Sequence, residues 1–379
     1  MKKKLLPVIA LVVTISLLLG AFGCAKEVAP PTTPSEPAAP SEEPAAAPPP
    51  AAEEVIKWRM QISLPMGILG DVAGSLAEDI NTLSAGRLEV ELFPAGAIVG
   101  AYEVFAGVID GVLEAAYGWP DWAGGGFIPA GGAIWQQPGE NEQEFLTWYY
   151  HGGGVELVNE LHEEYPVKLL LAGIYGPEPF ILSNKPILKL DDLEGLKMRT
   201  GGWCAKIYES LGVTVIGMSG TEIYGSLEKG IIDATEYSCP ALNWELGFHE
   251  VIDYMVVPGL QAPTCECFLA MYEEAWDELP AEIQAVIEIA AKKAVFDFWL
   301  RMGYEDMLAV QKYEDYGVEI IVLPQEVIDA WEVLYYEIAE EQAEEWEGFG
   351  EIQEIKRQWR EQWRPFATKT LTTALEKYQ

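Results

Sequence analysis

One stretch of wording occurs twice in this chain, and the repetition constrains the fold more than any other feature. Leu227-Glu228-Lys229-Gly230-Ile231-Ile232-Asp233-Ala234 echoes Val108-Ile109-Asp110-Gly111-Val112-Leu113-Glu114-Ala115. Each copy reads as the end of a helix, a glycine and then an apolar strand. The strands run on to Tyr117 and Glu236, and a proline follows each, Pro120 and Pro240. Around the first copy the periodicity predicts a strand over Lys57–Ser63, a helix over Gly70–Ser84, a strand over Arg87–Phe93, a helix over Ala101–Ile109 and a strand over Val112–Tyr117. Strand, helix and strand at this spacing make an α/β unit. Two such units predict two similar lobes; coincidence is the competing reading, because glycine before an apolar strand is common. Ligands of open α/β sheets collect at the carboxyl ends of strands, so Tyr117 and Glu236 are expected to face each other across a cleft.

The rest of the chain fits around these units. Asn141 with Glu144 three positions on caps a helix predicted to run toward Glu164. A strand over Lys168–Ile174 leads to Gly176-Pro177-Glu178-Pro179, read as the first crossing between lobes. The second lobe then holds a strand near Met198, a helix over Gly202–Leu211 and a strand over Val213–Gly217. Cys265–Tyr272 reads as a strand returning to the first lobe. Beyond Pro280 the pattern is helical to Tyr316, with a strand at Glu319–Leu323 and further helix through Tyr378. A helix that long is suited to brace both lobes. The expected boundaries are residues 55–178 with 264–305 for lobe I, 179–263 with 306–345 for lobe II, and 346–379 for a C-terminal helix.

The N-terminus has the order of an export signal: Met1-Lys2-Lys3-Lys4, then an apolar run from Leu5 to Phe22 that closes on small residues. A retained membrane span is the alternative, against which Pro7 argues. Ala21-Phe22-Gly23-Cys24 resembles a bacterial lipoprotein processing box, departing from it at Ala21 and Phe22. That resemblance makes residues 1–23 the signal peptide and Cys24 the lipidated first residue of the mature chain, tethered outside the cytoplasm. From Ala25 to Glu54 the chain is nearly all Ala, Pro, Glu, Ser and Thr, too poor in apolar surface to offset its ordering entropy, and reads as an extended spacer.

From Lys57 roughly 320 residues remain, long for one simple core and suited to two lobes. The formal charge of −36 repels nucleic acid and anionic lipid, and is awkward for an anionic ligand without a local positive charge. Cys204, Cys239, Cys265 and Cys267 and the histidines His151, His162 and His249 never combine at zinc-ligand spacing. The four cysteines are expected to be buried free thiols.

Several segments resemble the solute-binding proteins of tripartite ATP-independent periplasmic (TRAP) transporters, in particular their 2-keto-acid branch. They are Asp191-Asp192-Leu193-Glu194-Gly195-Leu196-Lys197-Met198-Arg199, Glu222-Ile223-Tyr224, Ile232-Asp233-Ala234-Thr235-Glu236 and Leu246-Gly247-Phe248. Pro94-Ala95-Gly96, Trp122-Ala123-Gly124, Gly152-Gly153-Gly154 and Pro258-Gly259 support them in the same order. The resemblance implies an α/β, two-lobed periplasmic binding protein fold with a long bracing helix. It further implies a small carboxylate ligand, no chemistry on it, no catalytic cofactor, and delivery to a separate membrane permease pair. Arg199 falls on the arginine that holds the ligand carboxylate, a role its planar, always-charged guanidinium suits. Glu236 and the backbone carbonyl of Tyr237 fall on the ligands of a bridging cation, sodium or calcium. Glu178 falls where the branch has glutamine, and a solvated loop carboxylate is its alternative reading. Tyr117, Trp119, Trp122, Trp203 and Trp244 lie beside strand ends or the arginine and are candidates for the pocket wall, with core packing the alternative for each.

The rival from another class is a hydrolase using Glu178 and Glu236 as acid and base, although no nucleophile motif or phosphate loop supports it. A receptor for a sensor kinase or an ABC-type transporter would keep the fold and change the client. Trp346, Phe349, Trp359, Trp363 and Phe366 make the C-terminal helix rich in aromatics. Branch members dimerise by exchanging such a helix; folding back on its own lobe is the other reading.

Overall fold

The structure is a computed structural model, and it describes residues 55–63, 67–119, 137–202, 204–345 and 347–372. The leader, the spacer, Cys24, Trp122 and Trp203 lie outside the described residues. The first half of the fold begins with β1 (Ile56–Ile62), α1 (Ile68–Leu83), β2 (Leu88–Phe93), α2 (Val104–Ile109) and β3 (Ala115–Gly118). It continues through α3 (Glu142–His151), α4 (Gly154–Glu160), β4 (Val167–Tyr175) and β5 (Ile181–Ser183). Next come β6 (Lys197–Arg199), α5 (Cys204–Ser210), β7 (Thr214–Val215), α6 (Gly220–Glu228), β8 (Ala234–Thr235), α7 (Pro240–Glu245) and β9 (Tyr254–Val257). The chain then runs through β10 (Cys265–Tyr272), α8 (Glu273–Asp277), α9 (Ala281–Tyr316), β11 (Glu319–Val322), α10 (Gln325–Glu345) and α11 (Glu347–Ala367).

The strands form two sheets, ordered β2-β1-β3-β10-β4 and β7-β6-β8-β5-β9-β11. Their neighbours match in direction. β1 is parallel to β2 and β3, as β6 is to β7 and β8, and β10 and β5 then run antiparallel in the equivalent places. The expected two α/β sheets with a helical C-terminus are therefore present.

The repeated wording closes its two helices alike. Gly111 and Gly230 hold left-handed φ values of 67° and 66°, a conformation cheap only without a Cβ. The amide of Val112 donates to the carbonyl of Gly107 and that of Ile231 to the carbonyl of Ser226, at 2.8 and 2.9 Å. This closure occupies Val112 and Leu113, so β3 starts at Ala115 and not at Val112. Gly153, with φ 92°, likewise divides the single helix expected to reach Glu164 into α3 and α4.

Besides the long α9, two short crossings join the sheets, Gly176–Phe180 and Pro258–Thr264, and these two run against each other. The amide of Glu178 donates to the carbonyl of Ala262 at 3.0 Å, and the Gln261 side chain donates to the carbonyl of Pro179 at 2.9 Å. Gly259 is required here, because a Cβ on it would lie 2.0 Å from the Glu178 carbonyl oxygen. The long α9 packs against β4 and α1 on one side of the molecule and α7 and β11 on the other, as a brace would.

The C-terminal α11 folds back onto α10 and α3 of its own chain. Its register is set by buried charges: the Lys356 ammonium lies 2.8 Å from Glu140 and 5.3 Å from the Phe145 and Trp148 rings, and Arg360 lies 3.0 Å from Glu144. Removing one member of a buried pair leaves its partner charged and desolvated. Lys356→Met should cost about 3–5 kcal/mol in denaturant unfolding, and adding Glu140→Leu should recover most of that loss.

Candidate functional site

The site is built at strand ends. β6 and β8 are adjacent and parallel, with Arg199 in register with Thr235, so Arg199 and Glu236 emerge together at the carboxyl edge of the second sheet. The backbone fixes the pairing: the amide of Glu236 donates to the Arg199 carbonyl at 3.2 Å. Arg199 Nη1 in turn donates to the Glu236 carbonyl at 2.9 Å and to its Oε1 at 3.1 Å. Arg199 Nε donates to the Met218 carbonyl at 3.3 Å, and the guanidinium stands 5.2 Å from the centre of the Tyr237 ring. Arg199 is 4% exposed and Glu236 7%, so the pair is held out of bulk water, where its interactions are strongest.

Glu178 reaches the same place from the first crossing and is 5% exposed. Its Oε1 accepts from the Tyr175 hydroxyl at 3.1 Å and from the Cys265 thiol at 3.3 Å, both at the edge of the first sheet. Tyr175 also meets Ser238 Oγ at 3.2 Å, so a residue of the first sheet touches the segment following β8 of the second. Burial pushes the Glu178 carboxyl well above its ordinary range, and the negative charge of Glu236 pushes it further; the Cys265 and Tyr175 hydrogen bonds and Arg199 oppose this more weakly. Glu236 is also raised, by burial, against the pull of Arg199 and Thr200.

The remaining expected residues divide. Trp119 is 6% exposed and meets Tyr175 edge-on with ring centroids 6.3 Å apart, which places it beside the Glu178 group. The contacts of Tyr117 run into the core of the first sheet: its hydroxyl donates to the Ala172 carbonyl at 3.4 Å, beneath Gly173. Cys204, Cys239, Cys265 and Cys267 are all buried thiols outside any disulfide.

The site lies in a chain whose family is now identifiable. Residues 68–345 match the model of the DctP family, bacterial extracellular solute-binding protein family 7. The chain belongs to that family. This member is similar to the monocarboxylate 2-oxoacid-binding periplasmic protein of Nostoc sp., at 28% identity over 314 residues, covering 82% of this chain and 84% of that one. Among solved structures it resembles a TRAP periplasmic solute-binding protein of Pseudoalteromonas atlantica with bound sodium and pyruvate. That likeness has a TM-score of 0.80 at 26% identity and covers 86% of this chain and all of the other. A TRAP transporter solute-binding protein of Bordetella bronchiseptica, with copurified calcium and picolinate in one active site of a dimer, matches at TM-score 0.79 and 26% identity over 86% of this chain and 97% of its own. The resemblance read from the motifs is thus borne out at the level of family and fold.

This DctP-family chain has a supporting group that the motifs missed. Asp306, near the middle of α9, accepts from the amide of Ala241 at 2.8 Å and so ties the start of α7, just after the Glu236–Ser238 segment, to the bracing helix. No local pattern marks it, because its partner lies in another element. Burial raises its pKa to about 6, with Glu142 and Glu305 adding to the shift and the Ala241 amide and Cys239 opposing it. The folded state therefore holds this proton more tightly than the unfolded chain, and stability falls as pH rises from the ordinary Asp range through about 6. Asp306→Asn keeps an acceptor for Ala241 and removes the charge. In thermal melts between pH 4 and pH 8 it should shrink that fall by on the order of 2 kcal/mol at pH 8.

Proposed function

We propose that this protein captures a small 2-oxo or 2-hydroxy carboxylate at the Arg199–Glu236–Glu178 group and delivers it, unchanged, to TRAP membrane permease subunits. The observation that carries the reading is the placement of one buried guanidinium beside two buried carboxylates where the two sheets meet. An anion enters such a place only with positive charge to receive it. Arg199 supplies a planar double donor for the ligand carboxylate, with Trp119, and in our reading Trp203 and Trp122, as the apolar walls.

A bridging cation fits the residues present. Burial raises both glutamates, and the Glu236 charge raises Glu178 further. Ionised together beside a ligand carboxylate they would bring three negative charges to one arginine, each like pair at about 4 Å costing on the order of 4 kcal/mol at an effective dielectric of 20. A cation is therefore needed for both to ionise. Among the described residues no three His, Cys, Asp or Glu side chains gather as a metal cage. We therefore assign the ion to Glu178, Glu236 and the Tyr237 carbonyl, with the ligand's own oxygens completing its shell; it would supply positive charge between carboxylates. The hard, all-oxygen donor set with two carboxylates favours calcium over sodium. We read the chain as non-catalytic, since no nucleophile motif or phosphate loop accompanies the two glutamates. The anchor belongs to this reading as well: lipidated Cys24 and the Pro-rich spacer would hold the domain at the outer side of the membrane.

Calorimetry with pyruvate as the probe tests the assignment. Tight binding is expected only with calcium present, Glu178→Gln should lose the calcium dependence and bind with sodium, and Arg199→Lys should weaken binding at least tenfold. Pyruvate binding by the parent that is indifferent to calcium would overturn the cation assignment. No binding of any 2-oxo or 2-hydroxy acid would overturn the substrate class.

A further inference from the structure

Tyr175 stands where the two sheets and the first crossing meet. It is the last residue of β4, and Gly176 turns the chain at once: its φ is 148°, and a Cβ on it would lie 2.6 Å from the Pro263 carbonyl oxygen. The turn brings the Glu178 carboxyl back to the tyrosine three residues before it. The ring is fixed by Trp119, edge-on at 6.3 Å, and by Phe298 of the bracing helix at 5.6 Å. With 3% of the residue exposed, its hydroxyl has little choice of partner.

That hydroxyl carries one proton. It donates to Glu178 Oε1 at 3.1 Å and lies 3.2 Å from Ser238 Oγ. With its proton on Glu178 it can only accept from Ser238, so the three groups form a one-way chain from Ser238 through Tyr175 to Glu178. Ser238 is fixed to the second sheet's side. It is buried, its carbonyl accepts from the Asn243 side chain of α7, and the Ala241 amide ties the same segment to Asp306 of α9. The chain of hydroxyls therefore needs the two sheets at the separation seen here. Its far end is equally defined. Glu178 Oε1 accepts from Tyr175 and from the Cys265 thiol, which engages both its lone pairs. Oε2 is the oxygen left to meet an ion, and its direction is set by the two donors on Oε1.

We propose that Tyr175 is a positioning residue through which approach of the two sheets orients Glu178 for the cation. The inference rests on the capture reading above and adds a regulation to it: the ion site is complete only when Ser238 reaches Tyr175, and the ion in turn favours that arrangement. A tyrosine that only fills the space between the sheets would satisfy its hydroxyl in the same way, but would not tie calcium affinity to Ser238.

Calcium titrations of the full chain with pyruvate present separate the two roles. Tyr175→Phe keeps the ring and removes the hydroxyl; it should raise the half-saturating calcium at least tenfold, roughly the effect of losing a hydrogen bond to a charged group. Ser238→Ala should raise it about fivefold in the parent and leave it unchanged in the Tyr175→Phe background, where its partner is gone. A parent-like calcium requirement in Tyr175→Phe, or a Ser238→Ala effect that persists in that background, would overturn the inference and leave the capture reading standing. Should Tyr175→Phe fail to fold, Ser238→Ala decides alone, and an unchanged calcium requirement counts against the inference in the same way. Pyruvate binding by the parent that ignores calcium removes the cation assignment and this inference together.

Discussion

The site depends on one buried ion pair whose geometry is dictated by the backbone. Arg199 and Glu236 do not find each other by side-chain search. They stand at the ends of neighbouring parallel strands, joined by the Glu236 amide to the Arg199 carbonyl and by Nη1 to the Glu236 carbonyl. Taking both charges from water costs several kcal/mol each, and their attraction offsets this only where the remaining donors and acceptors are met. Such a pair is weak evidence for stability. In the proposed reading its better explanation is function: a charged donor would be kept buried and oriented for a ligand anion by an internal carboxylate that a cation can draw away.

The two crossings give the pair its third member. Glu178 lies on the first, and the second presses so closely on it that only glycine fits at position 259. Tyr175 and Cys265 hold the Glu178 carboxyl from the first sheet, and Ser238 meets Tyr175 from the second. Relative movement of the sheets would therefore alter the hydrogen bonding of Glu178 and its distance from Glu236 together. In the proposed reading, ligand capture and lobe position would be coupled through this carboxyl.

Much of this was legible in the residues because it is local. The duplicated wording carries its own helix closure, glycine and strand, so both halves fold alike and both strands end in matching places. Arg199 and Glu236 were legible because a strand end is visible in sequence, although their roles needed the family motif. Asp306, Ser238 and Tyr175 were not, since each acts on a residue from a different element and no spacing announces a contact made across a fold. Tyr117 shows the limit from the other direction. Its position at the end of β3 was read correctly, but alternation alone did not say that its ring belongs to the core under Gly173.

The acidity of the chain looks opposed to an anionic ligand, and the arrangement of charge resolves the conflict. At physiological ionic strength an exposed charge is screened beyond about 8 Å, so most of the formal −36 acts on solubility and on encounter rather than on the bound ligand. In the proposed reading the ligand meets a buried group, where Arg199, Glu236 and Glu178 are screened far less than surface charges. Two carboxylates there would expel a third unless a cation joined them, and with the cation they become part of the receptor for it. On that reading the same negative charge that repels a bare anion would make binding conditional on two species arriving together. A solute that enters only with its ion is selected by more than its shape.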